Sequence, residues 1–406
     1  MRDAERVRRG LGAAGVLAAW LLALALPAGS DPSGSADVEA WTRRELEAWR
    51  EQFHLSPRVG DADALVAAAK RRVESSGSSF GLEAWLKREL QRAYYAFAPP
   101  EAVHDATARY ALPFDPVIPR ILGQGPGGEY SHTGRDHHSY DFVMPVGTPV
   151  RAVREGVVAR VVDGFTKGGK DLALKPYANR VLVLHADGTF AAYAHLSPGI
   201  PVKEGEPVTR GQVIARSGQT GFSGAPHLHF AVERAETDGI NVVARTLPIR
   251  FGRPGGPGFV PKQEDWVGFP PKPTLELAIF ADGVATRAGE LIAARSGQRV
   301  RIRVEALPSG APARDVTEHP RLQLVAMTPW NLEIVGPGEA VFRPMQDFTK
   351  EWGLNLDVAV VGVLYLNRAE RQIGLGKVEF HLTDLTAEGA ARQETQGKVP
   401  LAAEAP

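Results

Sequence analysis

Apolar residues recur at helical spacing near the start of the chain and at strand spacing through most of the remainder. In Glu39, Ala40, Trp41, Glu45, Leu46 and Trp49, apolar and charged residues mix at i, i+3 and i+4 intervals, the repeat of an amphipathic helix. A second such stretch covers Ala62–Val73, and the run Ser75–Ser79 interrupts it. Leu82–Phe97 resumes the pattern with Trp85, Leu86, Leu90 and Tyr94 on one face, and Pro99-Pro100 stops it. Glu101–Tyr110 is read as one more helix, giving a helical region over 37–111. Its aromatic residues, Trp41, Trp49, Trp85, Tyr94 and Tyr95, are read as exposed and free to cover a neighbouring cleft. The alternative is a small bundle beside the next domain.

The period then changes. From Tyr140 to Arg234 the sequence breaks into short alternating runs, among them Val157–Val162, Arg180–His185, Phe190–Tyr193 and Leu228–Val232, separated by turns such as Ala186-Asp187-Gly188. This predicts an all-β domain of mostly antiparallel sheet over 112–250. Residues 251–273 are rich in proline and glycine and read as a linker. Alternation resumes over 274–385, for example in Val300-Arg301-Ile302-Arg303-Val304, and predicts an immunoglobulin-like β-sandwich. The segment 386–406 is small and polar and reads as a disordered tail.

Ahead of the helices, Arg2, Arg6, Arg8 and Arg9 precede the apolar run Leu11–Leu26 and then Pro27-Ala28-Gly29-Ser30. This is the order of a secretory signal, so 1–28 is expected to be a leader and the rest to act outside the cytoplasm, periplasmic or secreted. An uncleaved N-terminal membrane anchor is the alternative. Lysine plus arginine equals aspartate plus glutamate at 47 each, so net charge gives no reason to expect nucleic acid as a partner. There is no cysteine, which excludes disulfides, thiolate metal sites and thiol nucleophiles.

Candidate chemistry is concentrated in the middle domain. Seven of the eleven histidines lie between His132 and His229. His227 and His229, two apart on a strand, project from the same face. Two adjacent buried imidazoles are costly without a partner, and a divalent metal is the usual one. With Asp141 upstream, nitrogen and oxygen ligands for Zn2+ are available, leaving one coordination position for water.

The ordered set Asp141-Phe-Val-Met-Pro-Val-Gly-Thr-Pro-Val150, Asn179-Arg-Val-Leu-Val-Leu-His185, Tyr193-Ala-His195-Leu196, Ser217-Gly-Gln-Thr-Gly221 and Pro226-His-Leu-His-Phe230 closely resembles the lysostaphin/LytM family of zinc endopeptidases, which cut the peptide part of bacterial cell wall. The resemblance runs from about Gly123 to Arg234 and implies the duplicated hybrid motif fold. It implies Asp141 and His229 as zinc ligands. The common family spacing puts the first ligand four residues before the aspartate, at His137. Ser131-His132-Thr133-Gly134 resembles a branch whose ligand comes nine residues before it, at His132. His132 is the preferred assignment, His137 the alternative and His138 third.

The resemblance also implies roles beyond the metal. His195 and His227 match two family histidines that face the reacting water, His227 mainly as general base and His195 mainly as oxyanion stabiliser, with the reverse assignment open. Asn179 and His185 match positions flanking the substrate groove, with structural support the equal alternative. The insertion Asp163–Tyr177 is a candidate substrate-reading loop or a solvated one. A peptidoglycan peptide is the implied substrate, and the flanking domains are candidate docking sites for a cell-envelope protein. Two other functions compete: a catalytically inactive relative that binds peptidoglycan or activates another hydrolase, and a biotinyl/lipoyl-like carrier suggested by Val202–Ile214. A carrier has no use for His-x-His.

Overall fold

The computed structural model describes residues 37–98, 103–237, 241–252, 255–268, 273–287, 289–328, 331–343, 358–367 and 372–382. The expected leader and tail lie outside the described residues. The chain divides into two units, one built mainly from residues up to Gly268 and the other from Phe269 onward together with Val117–Arg120.

Three helices open the first unit: α1 (Val38–Gln52), α2 (Ala62–Ser76) and α3 (Leu82–Tyr95). Asp61 caps α2 by accepting from the Ala64 N–H, and Gly77 ends it in the left-handed region. The spacing expected from the sequence is the buried face: Trp41, Leu46 and Trp49 on α1, Leu65, Ala69 and Val73 on α2, and Leu86, Leu90 and Tyr94 on α3. Four of the five aromatics read as exposed are therefore core residues. Trp41 and Trp49 are 3% and 1% exposed, and Tyr94 and Tyr95 are buried with them.

Nine strands among the described residues form the main sheet of this unit: β1 (Arg120–Gln124), β2 (Tyr140–Val143), β3 (Gly156–Val162), β4 (Asn179–Leu184), β5 (Phe190–Leu196), β6 (Pro207–Val208), β7 (His227–Thr237), β8 (Val242–Thr246) and β9 (Trp266–Val267). Their order is β9-β1-β2-β7-β5-β4-β3-β6, with β8 beside the outer half of β7. The pairings from β1 to β6 are antiparallel. Alternation sends Tyr140, Phe142, Val181, Val183, Tyr193, Leu228 and Phe230 to one core. On the opposite face Val162, Leu182, Phe190, Ala192 and Ala244 pack with the three helices. Each large side chain buried there contributes about 1.5–3 kcal/mol, so the helices and this face of the sheet stabilise one another. Arg160 joins them further, donating to the Tyr94 and Ala93 carbonyls at 2.9 and 3.0 Å and so satisfying the frayed end of α3.

Two expectations need correction. No helix forms over the described residues 103–110: Tyr110 and Ala111 give their N–H groups to the Arg250 and Val153 carbonyls, so the end of this stretch runs against the sheet domain. The segment read as a linker is partly built in. Leu122 and Glu264 exchange backbone bonds with Asp265 and Leu122, and Trp266–Val267 becomes the edge strand β9.

The second unit has a six-stranded and a four-stranded sheet around one core that includes Ile279, Val300, Ile302, Val304, Phe342, Val361 and Phe380. The Arg299–Leu307 strand buries Val300, Ile302, Val304 and Ala306 and turns the intervening residues outward, as its alternation predicts. Val358–Asn367 and Gln372–Leu382 pair antiparallel, and Leu291–Ala294 adds to the latter in parallel.

Candidate metal centre

Sheet register builds the site. His229 on β7 stands opposite Asp141 on β2 and opposite Ala194 on β5, so the aspartate and the closing histidine share one row. His227 lies two residues back on the same face. His132 reaches the row from the loop between β1 and β2, held by Nδ1–H donation to the Gly125 carbonyl at 2.9 Å. Ligand atoms of His132, Asp141 and His229 lie within 4.8 Å of one another, and all three residues are buried. His132 Nε2 is 3.2 Å from Asp141 Oδ2, and His229 Nδ1 is 2.8 Å from Asp141 Oδ1.

The residues fit a zinc ion. His229 Nε2 is a buried ring nitrogen without a hydrogen-bond partner, and His132 Nε2 has only the Asp141 carboxylate beside it, the condition a metal relieves. Burial opposes ionisation of Asp141, but the imidazoles of His132 and His227 and the bonds from His132 and His229 outweigh it and hold the carboxyl well below the usual range. The donor set is two imidazoles and one carboxylate, a combination found in hydrolytic zinc sites.

His195 reaches this face by a local irregularity. Asn179 pairs with Leu196 and Arg180 with Ala194, so His195 is the extra residue of a β-bulge. Its φ of 60° lies in the left-handed region, which few non-glycine residues adopt. Regular alternation from Tyr193 would have sent its side chain to the opposite core. The His195 and His227 rings stand 4.6 Å apart. His195 Nδ1–H donates to the Thr220 carbonyl at 2.7 Å and His227 Nδ1–H to the Ala225 carbonyl at 2.8 Å. A carbonyl only accepts, so each neutral ring keeps its proton on Nδ1 and presents Nε2 as a base. Burial, reinforced by His227 and His229, pushes His195 down to about 3, and burial also lowers His227.

Residues 135–242 match the sequence profile of Peptidase family M23. This segment is a lysostaphin/LytM-type peptidase domain. It is similar to the DD-carboxypeptidase/endopeptidase Mpg of Neisseria meningitidis, 41% identical over 117 residues, which is 29% of this chain and 24% of that protein. It is also similar to the glycyl-glycine endopeptidase ALE-1 of Staphylococcus capitis, 42% identical over 24% of each chain. The chain thus spans about a quarter of the length of these curated relatives. Among solved structures, a zinc-containing peptidase from Vibrio cholerae is 32% identical, over 31% of this chain and 37% of that one, at a TM-score of 0.25.

The M23 match includes Asp141, His195, His227 and His229 but begins three residues after His132. His137 is not in the converging group: its ring lies against Gly127 and the His138 ring. His138 gives its backbone N–H to Thr246 Oγ1 at 3.0 Å. Asn179 is fully buried and spends its side chain on Phe165 and Leu196, donating to both carbonyls and accepting the Phe165 N–H. His185 sits at the other end of the β4–β5 hairpin, where Nδ1–H donates to the Glu155 carbonyl at 2.9 Å. That placement puts His185 at a hairpin turn rather than in the Asp141 row. The Asp163–Tyr177 insertion is folded against its surroundings. His54 stacks on Phe165, Gln52 donates to the Tyr177 hydroxyl at 3.1 Å, and Gly168–Gly169 pairs with Gly221–Phe222 just before His227.

Two further residues of the first unit carry no signal in the sequence pattern. Gln124 donates to Asp141 Oδ2 at 3.0 Å, and only the register of β1 reveals it. Glu233, further along the face that carries His229, is buried beneath the helices with Oε1 unpartnered. Burial pushes its carboxyl up to about 8, helped by Asp136 and opposed by Arg180.

Proposed function

We propose that the M23 domain is a zinc-dependent endopeptidase that hydrolyses peptide bonds in peptidoglycan stems or cross-bridges, acting outside the cytoplasm. The observation that carries this reading is the convergence of buried His132, Asp141 and His229 beside the His195–His227 pair. In this reading His132, Asp141 and His229 hold the metal, and His137 does not. Zinc held there supplies Lewis-acid polarisation of the scissile carbonyl and makes water more acidic.

The protein's own part is proton transfer. His227 Nε2 lies 3.8 Å from Asp141 Oδ1 and accepts a proton from the attacking water. A ring that has taken a proton carries N–H on both nitrogens, so it then donates to the developing oxyanion or returns the proton to the leaving amine. Because both rings begin in the same tautomer, base and oxyanion donor are successive states of a coupled pair rather than fixed offices. Asn179, through Phe165 and Leu196, fixes the insertion that backs the catalytic strand.

The M23 relatives whose names specify DD- or glycyl-glycine bonds suggest a cleavage site between small residues. All five side chains the chemistry requires are present, which favours an active enzyme over an inactive peptidoglycan-binding relative. The second unit, with two sheets around one core, is read as an immunoglobulin-like sandwich and a docking surface for a cell-envelope protein. Digesting purified peptidoglycan with the zinc-loaded chain, with and without a chelator, tests the reading. New peptide amines that disappear on chelation support it, and none in either sample refutes it.

A further inference from the structure

Gln124 ends β1 directly opposite Asp141, after an irregularity in the β1–β2 register between Leu122 and Gln124. It is 3% exposed, and every polar position of its amide is used. Oε1 accepts the Ser131 backbone N–H at 3.0 Å, while Nε2 donates to Ser131 Oγ at 2.7 Å and to Asp141 Oδ2 at 3.0 Å. A backbone N–H can only donate, so it fixes which end of the amide is oxygen and leaves the NH2 group facing the carboxylate.

The loop is shaped around this side chain. A Cβ on Gly128 would fall 2.2 Å from Gln124 Cγ, so a larger residue there would displace the amide. Past that point the His132 N–H bonds to the Gly128 carbonyl at 3.0 Å, and the His132 ring bonds to the Gly125 carbonyl. The segment 125–132 therefore closes on Gln124 at one end and delivers His132 at the other.

We propose that Gln124 is a positioning residue for the metal centre: its amide ties the Asp141 carboxylate to the backbone of the loop that carries His132. Two of the three converging ligands are then held in register before a metal enters, which lowers the ordering cost of binding. The inference rests on the zinc reading above. Glutamate cannot replace glutamine here, because an ionised carboxylate accepts at both oxygens and would confront Asp141 with like charge.

The test is zinc affinity of the full chain, measured by competition with a chromophoric chelator, alongside thermal melting of the metal-free and zinc-loaded forms. Gln124→Leu and the near-isosteric Gln124→Glu should each weaken zinc binding about 10–100-fold, the usual effect of removing a support behind a ligand. The melting gain on adding zinc should shrink in both. If either variant melts lower but binds zinc within about twofold of the wild type, Gln124 is only a packing residue and the proposal fails. A wild-type chain that takes up no zinc removes the metal centre itself, and the Gln124 proposal with it. Gln124→Glu keeps the side-chain volume, so the comparison survives if Gln124→Leu does not fold.

Discussion

His195 and His227 face each other with ring centroids 4.6 Å apart, and each donates its Nδ1 proton to a backbone carbonyl. What separates them chemically from His132 and His229 is that ligand atoms of the latter two converge with Asp141. Substitution should separate them too. His132→Ala, Asp141→Ala and His229→Ala are expected to lose zinc and activity together. His195→Ala and His227→Ala are expected to keep zinc and lose about 10²–10⁴-fold in rate. Elemental analysis beside single-turnover kinetics checks this, and equal zinc loss in all five variants would contradict it.

His137→Ala should retain zinc, because the His137 ring packs on Gly127 and His138 rather than on the Asp141 row. Zinc content of His132→Ala and His137→Ala, measured side by side, decides the first ligand. Loss confined to His137→Ala would restore the commoner family spacing.

Glu233 makes stability depend on pH. Its folded-state carboxyl titrates at about 8, raised chiefly by burial, whereas an unfolded glutamate titrates near about 4.3. Between those values the folded state binds the extra proton, so stability is greatest on the acid side and declines as pH rises toward and through about 8. Glu233→Gln should flatten that decline in a melting-temperature series. An identical slope in the variant would rule Glu233 out as its source.

The helices share a core with the sheet face that carries the metal row. Leu86, fully buried in that core, should cost about 2–5 kcal/mol when cut to alanine. A unit of this size loses about 2–4 °C in Tm per kcal/mol. Deleting Val38–Tyr95 should abolish cooperative unfolding of the first unit, since Leu182, Phe190 and Ala192 would lose their cover. A truncated chain that melts cooperatively and cleaves faster would identify the helices as a removable block instead.

The sequence is most informative where local period and contact coincide. His227 and His229 share a face because they are two apart on a strand, and Leu86, Leu90 and Tyr94 line α3 because their spacing is helical. It is uninformative where a backbone departs from its period. His195 reaches the site through a bulge, and Gln124 meets Asp141 across a register that no spacing encodes. The choice between His132 and His137 depends on the path of the 125–139 loop. The missing fourth helix has the same cause, since Tyr110 is captured by Arg250, more than a hundred residues away in sequence.

Hydrolysis of a peptide bond at the His132–Asp141–His229 centre is the reaction proposed for this domain. Digesting defined muropeptides in heavy-oxygen water and weighing the products by mass spectrometry tests it most directly. One heavy oxygen is expected in the newly formed carboxyl group, with the product absent after chelation and in His229→Ala. Intact muropeptides after incubation with zinc-loaded wild-type protein, or undiminished cleavage by His229→Ala, would contradict it.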